Sequence, residues 1–232
     1  MSALQPRRRW RRRLGGAALA WLAVCAVGEW TTSHQPAPGA AARVLCAPLL
    51  QPLGLLARHC WFVLEGTERW DVWQDADAGG TSWGHVHRNL LPPEAEVGGG
   101  PAVEVGALDG VAGAAFVQCV RAAAPVYADR ATYRAWPGPN SNTFVDAMLR
   151  RCGWPLRLPA TAIGKDWRGW IGASAWGPGV QVESPLVGLA VGLDLRAELH
   201  VLALTFGIDF WPPAVLVPFG GGRFGFSRDA GR

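Results

Sequence analysis

The chain has 232 residues, half of them apolar, which is enough for one compact domain with a buried core. The 13 Trp, 30 Gly and 18 Pro indicate an aromatic-rich fold with many turns and short elements. The formal charge of +4 depends on six arginines within positions 7–13, because the chain from residue 29 onward carries 16 basic and 18 acidic residues. The body therefore lacks the basic surface of a nucleic-acid-binding protein, and we expect no nucleic-acid partner.

The N-terminus has the pattern of an export signal. The arginines precede an uncharged, mostly apolar stretch over 14–28. That stretch is short for a membrane-spanning helix, which needs about 17–25 residues, and suits the hydrophobic region of a signal peptide. We expect residues 1–30 to be a signal peptide or, preferably, an uncleaved signal-anchor, with the N-terminus cytoplasmic and the body exported. Residues 31–56 are expected to be a linker and lead-in segment, with a helix or membrane-proximal stretch from residue 45.

The body over 57–226 is predicted to be a single α+β domain, followed by a tail at 227–232. Three segments have the composition and alternation of β-strands: 58–64, 68–74 and 82–88. His85 and His87 fall on one face of the third predicted strand. Helical spacing of apolar residues then predicts a helix over 109–124, ended by a proline.

The last third is apolar enough over 186–219 to suggest a second membrane span, but its pattern excludes one. Asp194, Arg196, Glu198 and His200 alternate with apolar residues, which is the period of a β-strand. Four ionisable groups in seven residues would be prohibitive at the centre of a bilayer. We therefore predict a terminal β-ribbon that completes the sheet, with these four side chains on a water-facing side.

Five cysteines are present. Cys25 lies in the N-terminal segment, and the other four are scattered without a C-x-x-C pair or zinc-binding spacing. Export would permit disulfides, but Cys119 and Cys152 fall on apolar helical stripes, so buried free thiols are predicted. No metal site and no cofactor are predicted.

The stretch that organises the chain is YRAWPGPNSNTF at 133–144. Strand-like residues meet a Pro-Gly-Pro stop, and a helix whose apolar face includes Phe144 is predicted from Ser141 onward. A polar helix start can cap orphan backbone N–H groups. It can also present a nucleophile to the positive end of the helix dipole. Both interpretations of Ser141 stay open on the sequence alone.

Four stretches together resemble a family of bacterial proteins known as domain of unknown function 3750. They are HCWF at 59–62, YRAWPGPNSNTF at 133–144, PATAIGKDW at 159–167 and LTFGIDF at 204–210. The resemblance covers residues 57–226 and fits the short hydrophobic N-terminal segment. It implies an association with the bacterial inner membrane and envelope, and it implies no activity.

A more distant resemblance is to permuted papain-like hydrolases, which place a His on an early strand and a Cys at the start of a later helix. Asn140 and Ser141 resemble the Asn-Cys start of that helix, with Ser in place of Cys, and His59 matches the histidine. The resemblance implies that His59 takes the proton from Ser141 and returns it to the leaving group. The catalytic set includes Asp71 and His85 as groups that could orient the ring, and His87 is a further candidate for this role.

The remaining candidates have a binding and a structural interpretation. The Trp excess fills a core or offers exposed rings for sugars or acyl chains. The candidates for substrate contact or for shaping the turn are Trp136, Asn140, Asn142, Lys165 and Asp166. For Lys165 and Asp166 the alternatives are a local ion pair in a turn and a clamp for phosphate or carboxylate.

The expected fold is therefore an antiparallel sheet with two or three packed helices, permuted papain-like, preceded by one hydrophobic helix. The expected function is an envelope-anchored hydrolase or acyltransferase for amide or ester bonds of wall peptides or lipids. The alternatives are a non-catalytic module that binds a wall or lipid component, and a purely structural role for residues 133–144. Substrate and oligomeric state stay open.

Overall fold

A computed structural model describes residues 5–31 and 36–226 of the chain. The predicted tail at 227–232 lies outside these residues. Helix α1, Gln5–Thr31, contains the arginine run and the apolar stretch, and it packs against the C-terminal strands. Among the described residues, no helix is both long and apolar enough to cross a membrane.

The first sheet, sheet A, is antiparallel and lies at the centre of the fold. Its six strands run in the spatial order β4-β5-β3-β2-β1-β6. They are β1 Ala42–Pro48, β2 Arg58–Leu64, β3 Glu68–Val72, β4 Thr81–Trp83, β5 Val86–Arg88 and β6 Val103–Leu108. Strands β1 and β2 are buried on both faces, which explains their continuous apolar character.

Two helices cover one face of sheet A and build the main core. They are α2, Gly110–Ala123, and α3, Ser141–Arg151. Phe116 of α2 and Phe144 of α3 both pack against Phe62 of β2, with ring centroids 5.5 and 6.2 Å away. Short 3₁₀ turns occur at Leu53–Leu55 and Ala124–Val126. The predicted helices at 109 and 141 are thus confirmed.

The second sheet, sheet B, is a seven-stranded antiparallel meander in the order β13-β12-β11-β10-β9-β8-β7. Its strands are β7 Gly172–Ala175, β8 Gly179–Glu183, β9 Val187–Gly192, β10 Arg196–Val201, β11 Leu204–Asp209, β12 Ala214–Leu216 and β13 Arg223–Gly225. The chain is therefore α+β, as predicted, but with two sheets. The prediction that a terminal ribbon completes the first sheet was wrong, because the ribbon's strands pair with residues 172–192.

Four of the five cysteines form disulfides, so the prediction of free thiols was wrong for them. Cys46 and Cys60 are direct partners on neighbouring strands. Cys119 of α2 and Cys152 after α3 join the two helices. The apolar stripes that suggested buried thiols are the surfaces at which the two helices meet. Cys25 is free and buried.

Three local predictions also differ from the structure. The segment predicted as a lead-in helix or membrane-proximal stretch begins inside β1, because an apolar run buried on both faces shows no alternation. Residues 132–136 form no strand. Residues 82–88 form a hairpin, not one strand: Gly84 adopts φ +66° and places His85 in the turn, whereas His87 lies on β5.

The predicted water-facing side of the C-terminal ribbon is the buried one. The period of two in β10 is present, but Glu198 and His200 are 5% and 1% exposed, whereas Leu199 between them is 45% exposed. The charged side chains face inward because ionic partners from the segment before sheet B meet them there.

Candidate functional site

The start of α3 is held by a reciprocal cap in which Asn140, and not Ser141, is the N-cap. The Asn140 side chain accepts hydrogen bonds from the N–H groups of Asn142 and Thr143, at 2.9 and 3.2 Å. The Thr143 hydroxyl accepts in return from the Asn140 N–H at 3.0 Å. Ser141 is 5% exposed, and its hydroxyl makes no hydrogen bond to a described residue. Three of the four polar residues at this helix start are therefore used for structure, and Ser141 is not.

Asn142 ties the helix start to the strand that carries His59. Its carbonyl oxygen accepts from the N–H of Cys60 at 3.0 Å, and its amide donates to the carbonyl of Arg58 at 2.8 Å. These two backbone groups flank His59 on the edge of β2 that β3 leaves open, because β3 pairs only with Phe62–Leu64. A second amide hydrogen bond reaches Ile163 O at 2.8 Å. The position of α3 relative to His59 is thus fixed by one buried side chain.

His59 lies on the face of sheet A opposite α2 and α3, next to a buried carboxylate. Its Nε2 is 3.6 Å from Oδ2 of Asp71, which is fully buried on β3. The same oxygen accepts from Arg69 Nε at 2.8 Å and from Trp73 Nε1 at 2.6 Å. The His59 ring lies between two tryptophans, with centroids 5.0 Å from Trp73 and 5.8 Å from Trp61.

The carboxylate is held in its charged form. Although burial by itself would raise the pKa of Asp71, His59 and the Arg69 guanidinium keep that pKa below its usual range. Arg69 stacks 4.1 Å above the Trp61 ring and donates to the carbonyl of Ala95 at 2.7 Å. Buried polar atoms without a hydrogen-bond partner gather at this point: His59 Nε2, Asp71 Oδ1 and Arg69 Nη2. A buried anion facing an imidazole can fix the tautomer and orientation of the ring.

The structure brings some predicted residues together and separates others. His59 and Asp71 are neighbours, and Asn142 links them to the helix that begins at Ser141, although no hydrogen bond joins Ser141 to His59. The centroid of the His85 ring lies 5.7 Å from that of Tyr133, and His85 Nδ1 lies 2.9 Å from the carbonyl oxygen of Trp73.

The other predicted residues lie apart from His59. Both ring nitrogens of His87 are hydrogen-bonded, Nδ1 with the hydroxyl of Ser82 and Nε2 with the carbonyl of Asp75. Trp136 is half-exposed and donates to Leu202 O at 2.9 Å.

Lys165 and Asp166 belong to a second polar cluster, between the 159–167 loop and sheet B. Lys165 Nζ is 2.6 Å from Asp166 Oδ2 and 3.3 Å from Glu198 Oε2. His200 contacts Glu198 at 3.2 Å through Nε2 and Glu183 through Nδ1. Burial would lower the pKa of His200, but the hydrogen bonds to Glu183 and Glu198 raise it to about 9.

The same cluster shifts the pKa values of two further groups, Lys165 and Glu198. Although burial opposes both charges, the pKa of Lys165 lies above its usual range because Asp166 and Glu198 attract its proton. The pKa of Glu198 lies well below its usual range, mainly because of Lys165 and His200. The alternating pattern of β10 could have marked Glu198 and His200 as a set, but it carried no sign that their face is buried.

Asp166, Glu198 and His200 are the described residues best arranged for a metal ion, since their ligand atoms lie within 4.8 Å of one another. Two carboxylates and an imidazole suit a divalent transition metal. The Lys165 ammonium, however, contacts both carboxylates and supplies a positive charge between them. An ion at this point would have to displace Lys165, so the residues present fit an internal ion network better than a metal centre.

A cavity of about 240 Å³ lies between the two sheets, away from Ser141 and His59. Three guanidinium groups line it, those of Arg157, Arg196 and Arg223, together with the carboxylates of Glu104, Glu198 and Asp209. Arg223 is paired with Asp209 at 2.6 Å. Glu198 connects this cavity to the Lys165 cluster, because its two oxygens face Arg157 and Lys165.

Comparison with known proteins gives a family and no activity. A family model described as protein of unknown function (DUF3750) matches residues 39–167, which is more than half of the chain. The match includes sheet A, α2, α3 and the loop up to Trp167, and it ends before sheet B. Neither the curated proteins nor the solved structures compared with the chain include a match. The chain therefore belongs to the DUF3750 family of proteins of unknown function.

Proposed function

We propose that this protein is an envelope-anchored hydrolase or acyltransferase of papain-like architecture. Ser141 is the nucleophile, His59 the base and Asp71 the group that orients the base. The observation that carries the proposal is the pairing of His59 with Asp71 on neighbouring strands, next to the point where Asn142 fastens the start of α3. The substrates proposed are amide or ester bonds of wall peptides or lipids.

The chemistry follows from which atoms are free. Asp71 faces Nε2 of His59, so the tautomer with a proton on Nε2 leaves Nδ1 free. The helix α3 begins at the edge of β2 that β3 leaves open, and in the proposed step Ser141 moves around this edge so that Nδ1 accepts its proton. Ser141 Oγ then attacks the substrate carbonyl carbon, and His59 passes the proton to the departing amine or alcohol. Water, activated in the same way, hydrolyses the resulting ester, or an acceptor group takes the acyl chain.

The helix start supplies the environment for the developing oxyanion. Asn140 already caps the N–H groups of Asn142 and Thr143, and its own carbonyl accepts from Phe144. The N–H of Ser141 is left to donate to the oxyanion at the positive end of the helix dipole. Ser141 and His59 are both less than a tenth exposed, so a substrate reaches them only after neighbouring groups move.

An activity-based probe tests this proposal. A fluorophosphonate reagent should label the wild-type chain at Ser141, and the label should be located by peptide mass spectrometry. Ser141→Ala should abolish labelling, Asp71→Asn should slow it, and Ser184→Ala, in the partly exposed turn between β8 and β9, should leave it unchanged. Absence of labelling, or labelling that persists in Ser141→Ala, would refute the catalytic role.

The second candidate is a non-catalytic binding module, favoured by the cavity between the sheets. Its three arginines suit a small ligand whose anionic group replaces the carboxylates that pair with them, Glu198, Asp194 and Asp209. In that case Ser141→Ala leaves function unchanged. Thermal shift with inorganic phosphate or small carboxylates should then show stabilisation that Arg157→Gln removes.

The proposed location is the bacterial inner membrane, with α1 as the anchor, its N-terminus cytoplasmic and the body periplasmic or extracellular. The two disulfides support export, because such bonds persist in oxidising compartments. Fractionation of the native host should place the chain in the membrane fraction. Recovery of a fully reduced chain from the cytoplasm would contradict the proposal.

A further inference from the structure

Sheet B has the polarity opposite to that of an ordinary surface sheet: its polar side chains point inward and its apolar side chains point outward. On β8, Gln181 and Glu183 are buried, whereas Val180 and Val182 are about half exposed. The strands β10 and β11 repeat this arrangement, and β9 turns Val187, Leu189 and Val191 outward over inward glycine and alanine residues. An antiparallel sheet with one face in water normally turns its apolar residues to the core.

The outward residues form one continuous patch, because strand register makes them cross-strand neighbours. Val182 pairs with Leu189, Leu189 with Leu199, and Leu199 with Phe206. This outer face, defined here as the outward positions of β8 to β11, contains only apolar residues: Val180, Val182, Val187, Leu189, Val191, Ala197, Leu199, Val201, Leu204, Phe206 and Ile208.

The outer face is larger than a monomer in water normally exposes. Nine of its side chains are between 38% and 57% exposed, so together they present on the order of 700 Å² of apolar surface. The largest apolar patch of a typical soluble monomer is about 300–600 Å². The turns at one end of the strands extend it, with Leu193 at 88% exposed and Trp211 at 70% exposed.

We propose that the outer face of sheet B is a membrane-docking surface that lies in the interfacial layer of an anionic phospholipid bilayer. The occupant is indicated by α1, which packs against the edge strand β13 of the same sheet. The outward row continues from Ile208 through Val215 to Phe224 of β13, and Leu19 and Val27 of the adjacent α1 are 70% and 57% exposed. The six arginines at 7–13 supply positive charge that complements anionic headgroups.

A second copy of the chain would cover the outer face, but it would explain neither the exposed apolar side chains of α1 nor the arginine run. Sheet-on-sheet stacking leaves the exposed side chains of α1 uncovered and makes no use of the arginine run. A lipid surface satisfies all three features, and its contact needs no helix that crosses the bilayer. Docking of this kind depends on sheet B and α1 and not on Ser141, so it can succeed or fail independently of the proposed chemistry.

A fluorophore placed on the sheet separates its contribution from that of α1. In a full-length Cys25→Ala background, Leu189→Cys is labelled with the environment-sensitive dye NBD, and Val111→Cys on α2 serves as the matched control. Val111 is 90% exposed and lies outside sheet B. Added vesicles of phosphatidylglycerol and phosphatidylethanolamine should shift the emission of the dye at 189 to the blue and leave the dye at 111 unchanged.

A pair of charge substitutions gives the second measurement. Leu189→Glu with Leu199→Glu, which are cross-strand neighbours, should reduce partition into the same vesicles at least about tenfold, whereas Val111→Glu should not. Circular dichroism checks that each variant keeps its fold.

Three results would overturn the proposal. The first is failure of the wild-type chain to bind the vesicles, and the second is binding without a shift at 189. The third is a shift at 189 that tracks protein concentration without lipid, which would assign the outer face to a second copy of the chain.

Discussion

His200 should make the stability of the protein fall as the pH rises above neutrality. Its imidazole is 1% exposed and faces carboxylates from three elements, Glu183 on β8, Glu198 on its own strand and Asp166 on the preceding loop. Lys165 contacts two of these carboxylates, Asp166 and Glu198, and Arg157 contacts Glu198. Loss of the His200 proton removes one of the three cations that neutralise these three anions.

The magnitude follows from the shift in the His200 pKa from 6.5 to about 9. Because the pKa of the folded state is the higher one, the stabilisation is complete below about pH 6.5 and is lost as the pH rises to about 9. At 1.36 kcal/mol per pKa unit, the loss is about 3 kcal/mol. The depressed pKa values of Asp166 and Glu198 have the opposite sign and act at lower pH, since their contribution is lost only as acid protonates them.

Urea unfolding at a series of pH values from 6 to about 9.5 measures this loss. The wild-type free energy of unfolding should fall by about 3 kcal/mol across the series. His200→Gln should be less stable at pH 6 and should show a much flatter profile. His85→Gln is the control, because His85 contacts only a backbone carbonyl and a tyrosine ring. A wild-type profile that stays flat to pH 9, or one that His200→Gln leaves unchanged, would refute the reasoning.

Asn142→Ala should lower the free energy of unfolding by about 2 kcal/mol or more in urea titrations, because it leaves the N–H of Cys60 and the carbonyl of Arg58 without partners, whereas Ile163 O keeps its hydrogen bond from Asn140. The free energy of unfolding of Ser141→Ala should stay within about 0.5 kcal/mol of the wild-type value in the same titration, because the Ser141 hydroxyl makes no hydrogen bond to a described residue. The double variant Cys119→Ala with Cys152→Ala should lose about 2–4 kcal/mol under non-reducing conditions. After denaturation without reductant, iodoacetamide should modify Cys25 alone, as measured by intact mass.

The elements that the sequence predicted well are those whose signal is local. Helix α3 combines a four-residue spacing of apolar side chains with polar residues before them, so both its face and its start were predictable. The identity of the residue that caps α3 was harder to predict. Asn140 and Ser141 are both good N-cap residues, and the choice depends on which backbone groups the neighbouring 163–164 turn offers.

The features that the sequence did not predict depend on contacts between distant segments. Cys46 and Cys60 are partners only because β1 and β2 are paired in one particular register. The disulfide of Cys119 requires α2 and α3 to meet on the same face of sheet A. Likewise, Asp71 was one of several candidates to orient His59, and the register of β2 and β3 decides between them.

The C-terminal sheet shows why a correct period does not identify the core. Alternation places Glu198 and His200 on one face of β10, and the usual rule assigns that face to water. Lys165 reverses this assignment, because its ammonium group neutralises the inward carboxylate of Glu198. The loop that carries Lys165 also holds the start of α3, through hydrogen bonds to the carbonyls of Ile163 and Gly164. The loop at 159–167 therefore joins the proposed catalytic helix to the sheet proposed to dock on lipid. Contact of the outer face with a bilayer would orient Ser141 relative to the membrane without any movement of the helix itself.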